Sequence, residues 1–147
     1  VKVRFHEQVM GVYFDDLDPF HILHNARYLL LFERTLGSFW RVLGLGGMQD
    51  PDSPDRFHLV KTNHIEYLGP VRGEQEVRVR VWIERLGRTS LTFGFRLMPM
   101  DEDRICAQGS RTVVRVDPEA FLPTPWTAEL RARLQPWVES VEPDSPR

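Results

Sequence analysis

At 147 residues the chain is long enough for one domain with a real core and too short for two ordinary ones. An apolar share of 41% with 27% charged residues is that of a globular protein, and 19 basic against 21 acidic side chains exclude the strong basic field that broad nucleic-acid binding needs. The single cysteine, Cys106, excludes an intrachain disulfide, no Cys/His spacing fits a zinc site, and no apolar run approaches the roughly 18 residues that span a bilayer.

The opening VKVRFHEQVM lacks the continuous apolar core of a signal peptide, so the cytoplasm is the expected location. Residues 3–14 read as a first strand, with Gly11 as a candidate bulge, and residues 15–23 as a polar turn around Pro19. From about His24 to Leu45 the period is helical, with Tyr28, Phe32, Leu36, Phe39 and Leu43 three or four apart. Leu29–Phe32 is apolar on every side, which predicts burial nearly all round, while Arg27, Arg34 and Arg41 share a wet stripe. GLGG (44–47) stops the helix.

A polar loop, MQDPDSPDR, leads into four strand-like runs: FHLVKTNHIEYL, EVRVRVWIE, LTFGFRLMPM and ICAQGSRTVVRVD. The intervening GPVRGE, LGRTS and DEDR are turn-rich, which predicts an antiparallel meander. Thr124 as cap and Pro125 at the first helical position predict a short terminal helix, and residues 140–147 read as a frayed tail behind a single domain of residues 1–139. One helix that is apolar all round needs wide cover, which a curved antiparallel sheet wrapped on it supplies. The exposed edges and helix flank that remain call for a second copy of the chain.

The chemistry concentrates in DDLDPFHILHN, residues 15–25. Asp18 lies a few residues ahead of a helix entrance, where unpaired N–H groups and the positive end of the dipole point outward. A carboxylate there can act as base or nucleophile, or simply cap a turn, since Asp-Pro is common in turns. His24 and Asn25 can orient water or an acyl carbonyl, or cap the helix. Asp15 and Asp16 are turn-solvating, with Asp16 fixing the loop. A two-histidine, one-carboxylate metal site requires His21 and His24 to converge on Asp18, and the spacing of a calcium loop is absent. Glu33, in the apolar part of the helix, is expected to be buried and paired across a dimer, and Tyr28 to be core.

DLDPFHILHNARYLLLFE resembles the Asp-x-Asp-x-x-Gly-x-x-x-x-x-x-Tyr signature of the hotdog-fold acyl-CoA thioesterases, in particular the 4-hydroxybenzoyl-CoA thioesterase-like group. The resemblance continues through IEYLGPVRGE (65–74), GRTS (87–90) and VVRVDPEAFLPTP (113–125). It implies an α+β hotdog fold: a curved antiparallel five-stranded sheet wrapped around one long central helix, plus a short C-terminal helix. It further implies hydrolysis of an acyl-CoA or acyl-carrier-protein thioester by a homodimer or homotetramer, without metal or other cofactor and without nucleic acid or membrane as partner. Asp18 takes the place of the catalytic carboxylate and the Asn25 N–H that of the oxyanion donor, a contribution of roughly 3–4 kcal/mol per donor. His24, His21 and Tyr28 fall beside the reacting group, and Arg88, Thr89 and Ser90 fall where the family meets the charged end of coenzyme A. His21 replaces the family's usual glycine, so it narrows the pocket or changes the loop path. The alternative function is therefore a module that binds acyl-CoA or lipid without turnover.

Overall fold

Alternation in Gln75–Leu86 has the expected consequence: Val77, Val79, Val81 and Ile83 are each at most 1% exposed, and the intervening side chains look away from the core. The computed structural model describes residues 3–45 and 52–138. In chain order the elements are β1 (His6–Val12), α1 (Asn25–Val42), β2 (His58–Tyr67), β3 (Gln75–Leu86), β4 (Ser90–Pro99), β5 (Ala107–Arg115) and α2 (Ala128–Leu134). The five strands form one antiparallel sheet in the order β1-β3-β4-β5-β2, an α+β architecture consistent with the hotdog fold. The tail at 140–147 and Gly46, Gly47 and 48–51 lie outside the described residues.

The expected four-strand meander is corrected. Only β3-β4-β5 runs that way, because β1 occupies the free edge of β3, from His6 opposite Val81 to Val12 opposite Gln75. β2 pairs with β5 instead, and the 68–74 connection crosses the end of the sheet. That crossing is held by non-local bonds: the Leu68 and Gly69 N–H groups donate to the Cys106 carbonyl, Leu23 N–H to Val71, and Gly73 N–H to His21. Gly11 is not a bulge either, since it pairs regularly with Glu76. A Cβ there would come within 2.8 Å of the Tyr13 ring, and the register shifts fall near Lys61 and Glu84.

α1 packs its buried face on the sheet, with Phe32 stacked on Phe95 at 4.1 Å and Trp40 edge-on to Phe93 at 5.7 Å. Its burial is one-sided: Leu31 and Phe32 are buried, but Leu29 and Leu30 are only half so, which leaves a flank of the helix open. Arg34 and Arg41 are exposed, as the wet stripe requires, while Arg27 turns back toward Asp16. The helix stops at Gly44 (φ +74), where Gly44 N–H donates to the Arg41 carbonyl and Leu45 N–H to Trp40, the paired bonds of a Schellman end.

The terminal helix begins later than expected. Thr124 N–H donates to Arg115 and Trp126 N–H to Arg88, so residues 124–126 are tied to β5 and to the β3–β4 turn and lie outside the helix. The cap is Thr127, whose hydroxyl accepts from Leu130 N–H and donates to Asp55. No helix among the described residues is long and apolar enough to cross a membrane.

Candidate active site

β1 ends where β3 begins, and the chain then folds into a loop that delivers it to the entrance of α1. Asp16 anchors this loop from inside. Its side chain is buried, Oδ2 accepts from Tyr13 N–H at 2.9 Å, Arg27 stands 3.8 Å away, and its carbonyl accepts from His24 N–H. Asp18 closes the tip: Oδ1 accepts from Phe20 N–H (2.8 Å) and Ile22 N–H (3.3 Å), while its backbone exchanges bonds with Ile22 and His21. This is the geometry of an aspartate-capped turn. Both loop donors use one carboxylate oxygen.

His21 sits in that turn at φ +63, the left-handed region that glycine enters without steric cost. The loop keeps a backbone suited to glycine, and the imidazole is exposed. His21 donates its N–H to Asp18 and accepts from Gly73, so the turn is stitched to the 68–74 crossing at the strained residue itself.

The helix entrance differs from the expected asparagine cap. His24 is the cap: its Nδ1 accepts from Ala26 N–H at 3.1 Å, which puts the proton of the neutral ring on Nε2. Asn25 is the first helical residue, so its N–H has no intrahelical acceptor and its exposed position leaves it facing outward. The Asn25 carbonyl accepts from the Tyr67 hydroxyl at 3.0 Å, which ties the helix entrance to the end of β2. Tyr28 is buried edge-on to Tyr67 at 5.1 Å. Burial, assisted by the nearby Cys106, Tyr67 and Asp18, pushes its phenol up to about 12, so it stays protonated at neutral pH.

A cavity of about 420 Å³ opens beside the entrance, lined by Asp15, Leu17, His24, Ala26, Arg27 and Leu30. Asp18 does not line it. Arg88, Thr89 and Ser90 form the β3–β4 turn at the opposite end of the sheet, about 36 Å from the Asp18 loop along the length of β3. Arg88 is exposed there, and its carbonyl accepts from Trp126 N–H. One chain therefore does not bring this turn to Asp18. Glu33 is corrected: it is exposed and pairs within its own chain with Arg111 at 2.9 Å. Tyr67, in the IEYLGP stretch, joins the helix entrance through contacts with Asn25 and Tyr28 that only the fold creates.

Among the described residues, no cluster of three or more His, Cys, Asp or Glu side chains is placed to hold a metal ion, and His24 spends its Nδ1 on the helix cap. Cys106 is fully buried.

The family profile described as the thioesterase superfamily matches residues 20–106. The chain belongs to this superfamily. The match starts two residues beyond Asp18, so it assigns no role to that carboxylate. Among solved structures, a thioesterase from Thermus thermophilus crystallised with coenzyme A and zinc is 24% identical, with 89% of this chain and 92% of that chain covered and a TM-score of 0.75. A 1,4-dihydroxy-2-naphthoyl-CoA thioesterase from Synechocystis is 11% identical over 90% and 96% of the two chains, with a TM-score of 0.78. A Pseudomonas aeruginosa protein is 22% identical over 93% and 94%, with a TM-score of 0.79. At these identities the likeness is one of fold. No curated protein matches the chain.

Proposed function

We propose that this thioesterase-superfamily chain hydrolyses an acyl-CoA or acyl-carrier-protein thioester to free acid and thiol. Asp18 acts as general base or nucleophile, and the Asn25 N–H stabilises the oxyanion that forms as water or carboxylate adds to the acyl carbon. The observation that carries the reading is the pairing of a loop carboxylate with an outward-facing N–H at the entrance of α1. The loop between them is fixed by Asp16 inside and by the His21–Gly73 bond outside. Because both turn donors use Oδ1, Oδ2 is the atom that meets water or the acyl carbon.

The full site takes two chains in this reading. β2 is an edge strand, exposed along most of its length, with Leu59, Val60 and Tyr67 each about half exposed. Its His58 end lies at the Arg88 turn and its Tyr67 end at the Asp18 loop. Antiparallel pairing of two such edges about a two-fold axis reverses one sheet against the other. The partner's Arg88–Ser90 turn then approaches this chain's Asp18 end, where its guanidinium and hydroxyls meet the coenzyme's phosphates.

The test is steady-state hydrolysis of an acyl-CoA panel by wild type and Asp18→Asn. The amide keeps an oxygen for the Phe20 and Ile22 donors, so the turn survives while the rate falls by about 10²–10⁴. Wild-type hydrolysis with an unchanged mutant rejects the role of Asp18. The capped-turn geometry of Asp18 also suits a binding module, the second reading. It is chosen if acyl-CoA raises Tm and no thiol is released.

A further inference from the structure

The N–H assigned to the oxyanion belongs to the peptide between His24 and Asn25, and the polar groups around it are already engaged. The His24 carbonyl, in the same peptide plane as the Asn25 N–H, accepts from Arg27 N–H at 2.9 Å. In the next peptide Ala26 N–H donates to His24 Nδ1 at 3.1 Å, and the Asn25 carbonyl accepts from the Tyr67 hydroxyl at 3.0 Å. The first two bonds are local to the first turn of α1. The third comes from the end of β2, 42 residues away in the chain, and ties that turn to the sheet. A first turn frays readily, because its N–H groups have no intrahelical acceptors.

Tyr67 is built to make this tie. It pairs with the buried Ala107 at the end of β2, on the strand parity that faces α1. Its ring stands edge-on to the buried Tyr28 ring at 5.1 Å, which gives the hydroxyl a fixed direction although Tyr67 is half exposed. The chain that follows Tyr67 holds the other half of the site. Leu68 and Gly69 anchor it through their N–H groups on the Cys106 carbonyl; then the Val71 carbonyl accepts from Leu23 N–H, and Gly73 N–H donates to the His21 carbonyl. Leu23 and His21 belong to the loop whose tip Asp18 closes. Residues 67–73 therefore hold the Asp18 loop and the α1 entrance in one frame.

We propose that Tyr67 is a positioning residue for thioester hydrolysis: by holding the Asn25 carbonyl, its hydroxyl keeps the Asn25 N–H aimed at the oxygen that becomes negative, in register with the Asp18 loop. This rests on the proposed thioesterase activity and adds a residue to its machinery. The hydroxyl acts through the peptide and does not touch the substrate. Its contribution falls in the transition state, where the oxygen carries charge and needs a donor already in place. It is small in the ground state, where a neutral thioester carbonyl is a weak acceptor. Deleting an oxyanion donor outright costs about 10²–10³ in kcat, and loosening one that remains costs less, about tenfold.

The experiment compares wild type with Tyr67→Phe, which keeps the ring and its contact with Tyr28 and deletes the hydroxyl, and Tyr67→Leu, which deletes the ring contact as well. It measures Tm, kcat and KM on the best acyl-CoA of the panel, and the binding of two coenzyme A analogues of the same acyl group. One is a trifluoromethyl ketone, which adds water or a carboxylate to give the tetrahedral oxyanion; the other is a thioether, which has no carbonyl. In both variants kcat is expected to fall about tenfold with KM within about twofold of wild type, and the Ki of the ketone to rise in step with the fall in kcat. Thioether binding stays unchanged, and Tm drops further in Tyr67→Leu than in Tyr67→Phe without a matching further drop in kcat. A kcat for Tyr67→Phe within about twofold of wild type, or a fall in kcat that the Ki of the ketone does not follow, overturns the positioning role and leaves the thioesterase reading standing. A folded wild type that hydrolyses none of the panel overturns both.

Discussion

Replacing His21 by glycine should make the protein more stable, although it deletes an entire side chain. An L-residue in the left-handed region costs about 1–2 kcal/mol relative to the right-handed one, and histidine, which tolerates that region better than most, sits at the low end. Glycine removes this strain but adds freedom to the unfolded chain, worth about 0.4–1 kcal/mol against folding. No side-chain contact is lost in exchange: the imidazole is exposed, and the bonds to Asp18 and Gly73 run through the His21 backbone. The net expectation for His21→Gly is a gain of up to about 0.6 kcal/mol, at most about 2 °C in Tm for a chain of this size. His21→Ala keeps the strain and loses the tolerance of histidine for it, so it should fall below wild type. The Gly–Ala separation of about 1 kcal/mol is the diagnostic quantity. Urea denaturation of the three proteins, with m held in common, measures it. Loss of more than about 0.5 kcal/mol in His21→Gly would refute the reasoning, because the imidazole would then have to hold contacts that its exposed setting excludes.

Burial of His6 beside Ser38 and Phe39 holds its pKa below the usual 6.5, so the unfolded chain binds its proton more readily. The stability this contributes is present above pH 6.5 and is lost as pH falls through the lower folded value. Urea midpoints at pH 7.5 and 5.5 should therefore drop further in wild type than in His6→Gln; equal drops would dismiss the effect. Thr127→Ala removes the α2 cap and the 2.5 Å bond to Asp55, whose buried carboxylate keeps, among the described residues, Thr127 N–H and the nearby Arg115 as partners. A loss of about 2–4 kcal/mol is expected, restored by serine at the same position, and a loss under about 1 kcal/mol would contradict this account of the cap.

The elements legible in the sequence are those whose signal is local. Val77, Val79, Val81 and Ile83 announce a strand because only a period of two puts all four on one face, and Gly44 announces a helix end because glycine takes positive φ cheaply. Sheet order is not local. GPVRGE has the composition of a hairpin turn, and what makes it a crossing is its bonding to Cys106, Leu23 and His21, residues far away in the chain. Thr124 and Thr127 present the same hydroxyl to the same short helix. The choice between them is made by Trp126, buried with its indole N–H on the Ser90 carbonyl, which holds the chain outside the helix until it has passed.

The candidate site divides along the same line. The spacing from Asp18 to Asn25 can be read by eye, whereas the commitment of Asp18 Oδ1 to two loop donors belongs to the folded turn alone. Glu33 and Arg111 are 78 residues apart, so nothing in the helix announced that its carboxylate would find a cation in the same chain. One sign was nevertheless available. In β5, Arg111 breaks a core-facing series that otherwise holds Ala107, Gly109 and Val113. A charge on the buried parity of a strand requires a partner from another element, and a half-apolar helix carrying one carboxylate among leucines was the place to seek it. Arg111, on a buried strand face, is accordingly a residue whose partners on α1 and β2 lie in no local window of the sequence.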